Sequence, residues 1–174
     1  MQWKHPGSPK PKKFKTQVSA GKVMVTAFFY HEGLLLADFK EPGVNINAAH
    51  YKDTLDKLHK AIKAKRLGKL SQGVILLHDN ARPHVAKIVQ EKLAKKNWEV
   101  LHHPAYSPEL SPCDFHLFGP LKKALKGQRF NSDADVKTAV TTWFSEQPRT
   151  FFSDGIRRLP KQWDACLNAY GDFF

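Results

Sequence analysis

Val74-Ile75-Leu76-Leu77 is apolar at every position, so a strand built from it cannot leave either face in water. Strands of this kind belong in parallel sheets covered on both sides, and parallel neighbours need a crossover between them. The following residues supply one. A helical pattern runs from about Arg82 to Lys96, with Val85, Ile88, Val89 and Leu93 on one side, and a short strand follows from Trp98 to Leu101. This strand, helix and strand make the fold class α/β. They also put Asp79 where the first strand runs out, at the sheet edge where α/β folds collect their chemistry. Further on, the turn-rich segment from His103 to Pro112 leads into a helix with Ser111 as N-cap, Pro112 at its first position and Asp114 in its first turn. Asp114 then faces back toward Asp79.

Two carboxylates at one sheet edge suit a hard divalent cation, Mg²⁺ or Mn²⁺, which takes oxygen ligands and keeps positions open for phosphate and water. A purely structural role suits them too: Asp79-Asn80 can cap the next helix, and Asp114 is favoured by the dipole of its own first turn. Spacing alone does not choose between the two. His78, His84, His102, His103 and His116 crowd the same region, but their spacing fits no zinc pattern. His78, Asn80 and His116 are instead candidates for positioning the site or a phosphate.

The rest of the chain frames this centre. A formal net charge of +12, from 28 Lys and Arg against 16 Asp and Glu, points to a polyanionic partner, nucleic acid foremost. Residues 1–22 carry Lys4, Lys10, Lys12, Lys13, Lys15 and Lys22 without an acid, and Pro6, Pro9 and Pro11 keep them out of a helix. They read as an extended basic arm, or from composition alone as a disordered tail, separate from a domain expected over 23–174. Two strands, Lys22 to Tyr30 and Leu34 to Phe39, make a hairpin around His31-Glu32-Gly33, apolar on both faces. Asp38 and Glu32 are strand-end and turn residues without a place in the site. Asn47 caps a helix from Ala48 to Arg66 whose stripe of Tyr51, Leu55, Leu58 and Ile62 is core. Gly119-Pro120 interrupts the helix that carries Asp114. Ser132 with Asp135 opens another in a capping-box pattern, and Phe152, Ile156, Leu159, Trp163 and Leu167 line the last. Cys113 and Cys166 fit a reducing compartment and no disulfide, and there is neither a membrane-length apolar run nor a signal peptide.

The string His78-Asp79-Asn80-Ala81-Arg82-Pro83-His84, then Trp98-Glu99-Val100-Leu101, Tyr106-Ser107-Pro108-Glu109-Leu110-Ser111-Pro112 and Asp114-Phe115-His116-Leu117-Phe118, resembles the catalytic core of mariner-family transposases, within the Tc1/mariner superfamily. That family places 34 residues between its second and third acidic residues, the interval from Asp79 to Asp114 here. The likeness extends through Trp3 to Pro9, Ser19 to Met24, Gln128-Arg129-Phe130 and Gly155 to Trp163. The same domain also occurs in the family's fusion with a SET domain. The resemblance implies a ribonuclease-H-like mixed sheet flanked by helices, with Asp79 and Asp114 as catalytic metal ligands in a two-metal Mg²⁺ or Mn²⁺ site. It implies metal-dependent DNA strand cleavage and strand transfer in cut-and-paste transposition, in the nucleus, with DNA and a possible second copy as partners. Lys10, Lys12, Lys13, Lys15 and Arg82 are then the DNA-binding candidates. The family's first acidic residue lies on a central strand upstream of Trp3, so this strand is expected to be missing from the chain. A non-catalytic DNA-binding remnant, or a domesticated transposase-derived domain, is the competing reading.

Overall fold

The computed structural model describes residues 22–41 and 43–168. In chain order the elements are β1 (Val25–Tyr30), β2 (Gly33–Phe39), α1 (Ala48–Lys65), β3 (Val74–Leu77), α2 (Lys87–Lys95) and β4 (Trp98–Leu101). A 3₁₀ turn at Pro108–Leu110 and a π-helical stretch at Cys113–Phe118 follow, and then α3 (Gly119–Leu125), α4 (Asp133–Glu146) and α5 (Arg149–Asn168). The basic arm and its lysines Lys10, Lys12, Lys13 and Lys15 lie outside the described residues.

The hairpin forms as its alternation predicts. β1 pairs antiparallel with β2 from Val25↔Phe39 to Tyr30↔Gly33, with an irregularity between Phe28 and Phe29. The turn narrows to His31-Glu32, and Gly33 leaves it at a φ of 155°, where a side chain would be strained. Both hairpin faces are covered. Leu35, Phe28, Tyr30 and Leu36 pack into the core built on Tyr51, Leu55, Leu58 and Ile62 of α1. Ala27, Phe29, Leu34, Ala37 and Phe39 pack into a second core with Leu117, Leu121, Val140, Phe144 and Phe152 from the C-terminal helices. α1 is pinned at its start by Asn47, whose Oδ1 accepts from His50 N–H at 2.9 Å. It is tied to the hairpin by Asp38, 5 % exposed, which accepts from Thr54 Oγ1 at 2.5 Å and from Lys57 Nζ at 2.6 Å.

β3 and β4 pair in parallel from Val74↔Trp98 to Leu77↔Leu101, as the crossover requires. Three expectations need correcting. Val74 and Leu76 are buried against α1 and α2, yet Ile75 is 67 % exposed, so β3 is covered on one face only. The crossover helix begins at Lys87 rather than Arg82, because the chain turns through Pro83 first; Val89 and Leu93 point inward while Val85 and Ile88 are each 45 % exposed. Gly119-Pro120 does not interrupt the helix after Asp114 either. The wide π-helical stretch passes directly into α3 there, and Pro120, which has no N–H to donate, falls in the first turn of α3.

α4 starts with the expected reciprocal cap, Asp135 N–H to Ser132 Oγ at 3.2 Å and Ser132 N–H to Asp135 Oδ2 at 3.0 Å. α5 buries Phe152 but leaves Leu167 70 % exposed. Cys113 and Cys166 are free thiols. Among the described residues no helix is long and apolar enough to cross a membrane.

The two strand pairs are separate two-stranded sheets. Between them lies a cavity of about 290 Å³ bordered by Ala27 to Tyr30 of β1 and by Val74 to Asp79 of β3 and its exit. Consecutive residues of both strands line it, and successive side chains point to opposite faces, so the cavity runs along strand edges.

Candidate active site

At the end of β3 the chain folds back on a carboxylate. Asp79 Oδ1 accepts from Ala81 N–H at 3.0 Å, an Asx turn. His84 closes the loop: its Nδ1 lies 2.6 Å from Asp79 Oδ1 and 3.3 Å from the Asp79 carbonyl, so Nδ1 carries a proton and donates to both acceptors. The Asp79 side chain nevertheless stays 59 % exposed, and among the described residues Oδ2 has no hydrogen-bond partner. One oxygen is tied to the protein and the other is available to a ligand.

Behind this carboxylate is a layer of rings. Tyr51, 2 % exposed on α1, holds its hydroxyl 2.8 Å from His78 Nδ1. The His78 and His84 rings are parallel within 2° with centroids 5.1 Å apart, and Tyr51 packs on His84 at 4.0 Å. Burial, reinforced by His84 and opposed by Asp79, pushes His78 down to about 4. Burial, with Asp79 and Cys113 adding, raises Tyr51 well above the ordinary tyrosine value. Both groups are therefore neutral near pH 7.

Asp114 arrives on the first turn of the π-helical stretch, where its N–H donates to Ser111 O at 2.9 Å. Leu110 and Leu117, each 0 % exposed, anchor that turn on either side. Asp79, Asn80, Arg82 and Asp114 line a single cavity of about 450 Å³, with His103 and Tyr106 also on its wall. Asn80 Nδ2 donates to the His103 carbonyl at 2.6 Å, fastening the loop after β3 to the loop after β4. His103 is only 6 % exposed, and its Nδ1 finds no partner among the described residues. An unpaired buried polar atom costs on the order of 1–3 kcal/mol.

The structure thus brings Asp79, Asn80, Arg82 and Asp114 together, with His78 one layer behind. His116 stands apart: its Nε2 donates to the Phe151 carbonyl at 2.7 Å and its ring packs at a tilt of 33° against Phe151 of α5. Its contacts are those of a clamp between the π-helical stretch and α5. His84 and Tyr51 carry site geometry that sequence reasoning did not assign. The signal for His84 was its position five residues beyond Asp79 across a proline, within reach of a tight loop; Tyr51 was indistinguishable from the core stripe it belongs to.

Two carboxylates on one open cavity would suit a hard divalent cation better than a soft one. Among the described residues no group of three or more His, Cys, Asp and Glu is arranged to hold a metal ion, so no third protein ligand joins them there.

Comparison with known proteins bears on the family and the fold. A family model described as "Transposase (partial DDE domain)" matches residues 1–72. The chain is 36 % identical over 170 residues to the Mariner Mos1 transposase of Drosophila mauritiana, covering 97 % of this chain and 49 % of that one. It is 37 % identical over 166 residues to the Histone-lysine N-methyltransferase SETMAR of Homo sapiens, covering 94 % of this chain and 24 % of that one. It therefore spans about half and about a quarter of the length of these two relatives. The solved structure of the Mos1 transposase catalytic domain with raltegravir and Mg superposes with a TM-score of 0.84 at 38 % identity, over 87 % of this chain and 77 % of that one. The α/β fold is accordingly ribonuclease-H-like, and the chain belongs to the mariner transposase family.

Proposed function

We propose that this chain supplies most of a metal-dependent DNA strand-cleavage and strand-transfer domain of the mariner cut-and-paste type, acting on nuclear DNA. The observation that carries this reading is the shared cavity: two exposed carboxylates, Asp79 and Asp114, reach one space from different elements. Asp79 and Asp114 would hold Mg²⁺ or Mn²⁺, and a bound cation would activate the attacking oxygen and stabilise the leaving one. Asn80 keeps the two strand-end loops together, and Arg82, exposed on the same wall, is placed to meet a phosphate. The net charge of +12 supplies sequence-independent attraction for the DNA backbone. Lys10, Lys12, Lys13 and Lys15 would add to it, and pairing of two copies would bring two DNA ends together.

A third carboxylate is needed to hold two cations in register. The cavity between β1 and β3 supports its arrival on a further strand, because among the described residues neither bordering edge is paired with another strand and Asp79 stands at one end. The absence of a three-ligand group among the described residues favours the second reading, a DNA-binding domain without cleavage, for the chain by itself. A nicking assay on supercoiled DNA with Mg²⁺ or Mn²⁺ separates them. The chain alone should be inactive, and a version extended upstream by a strand carrying an acidic residue should nick DNA, with activity lost in Asp79→Ala and Asp114→Ala. Inactivity of the extended version under all conditions, with DNA binding intact, would leave the binding-only reading standing.

A further inference from the structure

We infer that His84 is a positioning residue for Asp79: it occupies Oδ1 and so aims Oδ2 at the cavity shared with Asp114, with Tyr51 of α1 fixing the imidazole from behind. The inference rests on the reading of Asp79 as a metal ligand. A carboxylate on a loop can rotate about two torsions, and each rotation moves its oxygens by more than a coordination bond tolerates. Here two donors converge on the same oxygen, the Ala81 N–H at 3.0 Å and His84 Nδ1 at 2.6 Å. The pair fixes both the tilt and the spin of the carboxyl group.

The imidazole is itself held. Its Nδ1 also reaches the Asp79 carbonyl at 3.3 Å, which keeps the ring in register with the backbone it serves. Its ring packs on Tyr51 at 4.0 Å and on the parallel ring of His78 at 5.1 Å. Tyr51 also fixes His78 through the 2.8 Å contact of its hydroxyl, so one buried side chain steadies both rings. Since Tyr51 is 2 % exposed and part of the main core, Asp79 is referenced to α1 as well as to its own loop. Supporting groups of this kind, once removed, typically lower metal affinity by about 10- to 100-fold.

The test is Mn²⁺ affinity of the whole chain, read from the free-ion electron paramagnetic resonance signal, for wild type, Asp79→Asn, His84→Ala, His84→Asn and Tyr51→Phe. Asp79→Asn should abolish the site. His84→Ala should weaken binding about tenfold or more, whereas His84→Asn, whose amide can donate to Oδ1, should recover most of it. Tyr51→Phe keeps the ring packed on His84 and should bind within about twofold of wild type. Thermal melts accompany each variant, and His84→Asn against wild type remains decisive if His84→Ala does not fold. Loss of binding in Asp79→Asn with unchanged or tighter binding in His84→Ala would overturn the role of His84 alone. So would a failure of His84→Asn to bind better than His84→Ala. Equal Mn²⁺ binding by wild type and Asp79→Asn, or none by wild type, would overturn the metal-ligand reading and this inference with it.

Discussion

Gly155→Ala should destabilise the domain, although alanine is the better helix former. Gly155 is buried on α5, and a Cβ there would meet His116 Cδ2 at 2.6 Å, Cγ at 3.1 Å and Nε2 at 3.3 Å. The imidazole cannot simply swing aside, since its Nε2 donates to the Phe151 carbonyl at 2.7 Å and its ring packs on Phe151 at 4.5 Å. Overpacking of this kind costs about 1–3 kcal/mol, and losing the hydrogen bond adds about 1 kcal/mol if the ring moves. Removing a glycine from a helix returns about 0.5–1 kcal/mol. The net is a loss of about 1–3 kcal/mol, equivalent to about 2–4 °C of Tm per kcal/mol for a chain of this size. Urea melts of Gly155→Ala, His116→Ala and the double variant measure it. In the His116→Ala background the clash is gone, so Gly155→Ala should be neutral or stabilise by about 0.5–1 kcal/mol. Stabilisation by Gly155→Ala in the wild-type background would refute the clamp between α5 and the stretch that carries Asp114.

Leu55→Ala, at a residue 0 % exposed in the α1 core, should cost about 2–5 kcal/mol in the same urea melts. Acid should weaken the fold through His78: its folded value of about 4 lies below the ordinary one, so the unfolded chain takes up the proton first and stability falls as pH drops from about 6.5 toward 4. Allowing for the ring's partial exposure, this amounts to about 1 kcal/mol between pH 7 and pH 5, absent in His78→Asn. Asp38 adds to the acid loss at lower pH. Its burial raises the carboxyl, but the hydrogen bonds from Lys57 and Thr54 and the charge of Lys40 outweigh that and hold it below the ordinary range, so its contribution disappears as it is protonated. Duplex DNA binding, measured by fluorescence anisotropy, should show little sequence preference and fall at least tenfold between about 50 and 200 mM salt.

Periodicity made most of the scaffold legible. Asn47 before an apolar stripe located α1 to within a residue, and the Ser132 and Asp135 pair located the start of α4, because caps and stripes are local properties of the chain. The parallel pairing of Val74–Leu77 with Trp98–Leu101 followed from run length and the crossover between them. What local pattern could not show was long-range. Ile75 reads as a core residue, yet its exposure depends on whether another element covers that face. The late start of α2 reflects a contest between helical periodicity and the turn closed by Asp79, Ala81 and His84, which the turn wins. At the candidate site, strand-end and helix-start positions together with the family motif pointed to Asp79 and Asp114, and adjacency to Asn80; these three residues line one cavity. His116 was legible as a neighbour of the acidic residue, but along the turn its side chain points to α5. Tyr51 was hidden because a buried tyrosine on a core stripe looks the same whether or not its hydroxyl meets a site histidine.

The most direct measurement of the central claim is an anomalous difference map from crystals of this chain soaked in Mn²⁺. A peak is expected in the cavity shared by the two carboxylates, about 2.2 Å from an oxygen of Asp79 and an oxygen of Asp114, with the Asp79 contact made by Oδ2. A Mn²⁺ peak elsewhere, or one that touches neither carboxylate, would contradict that claim.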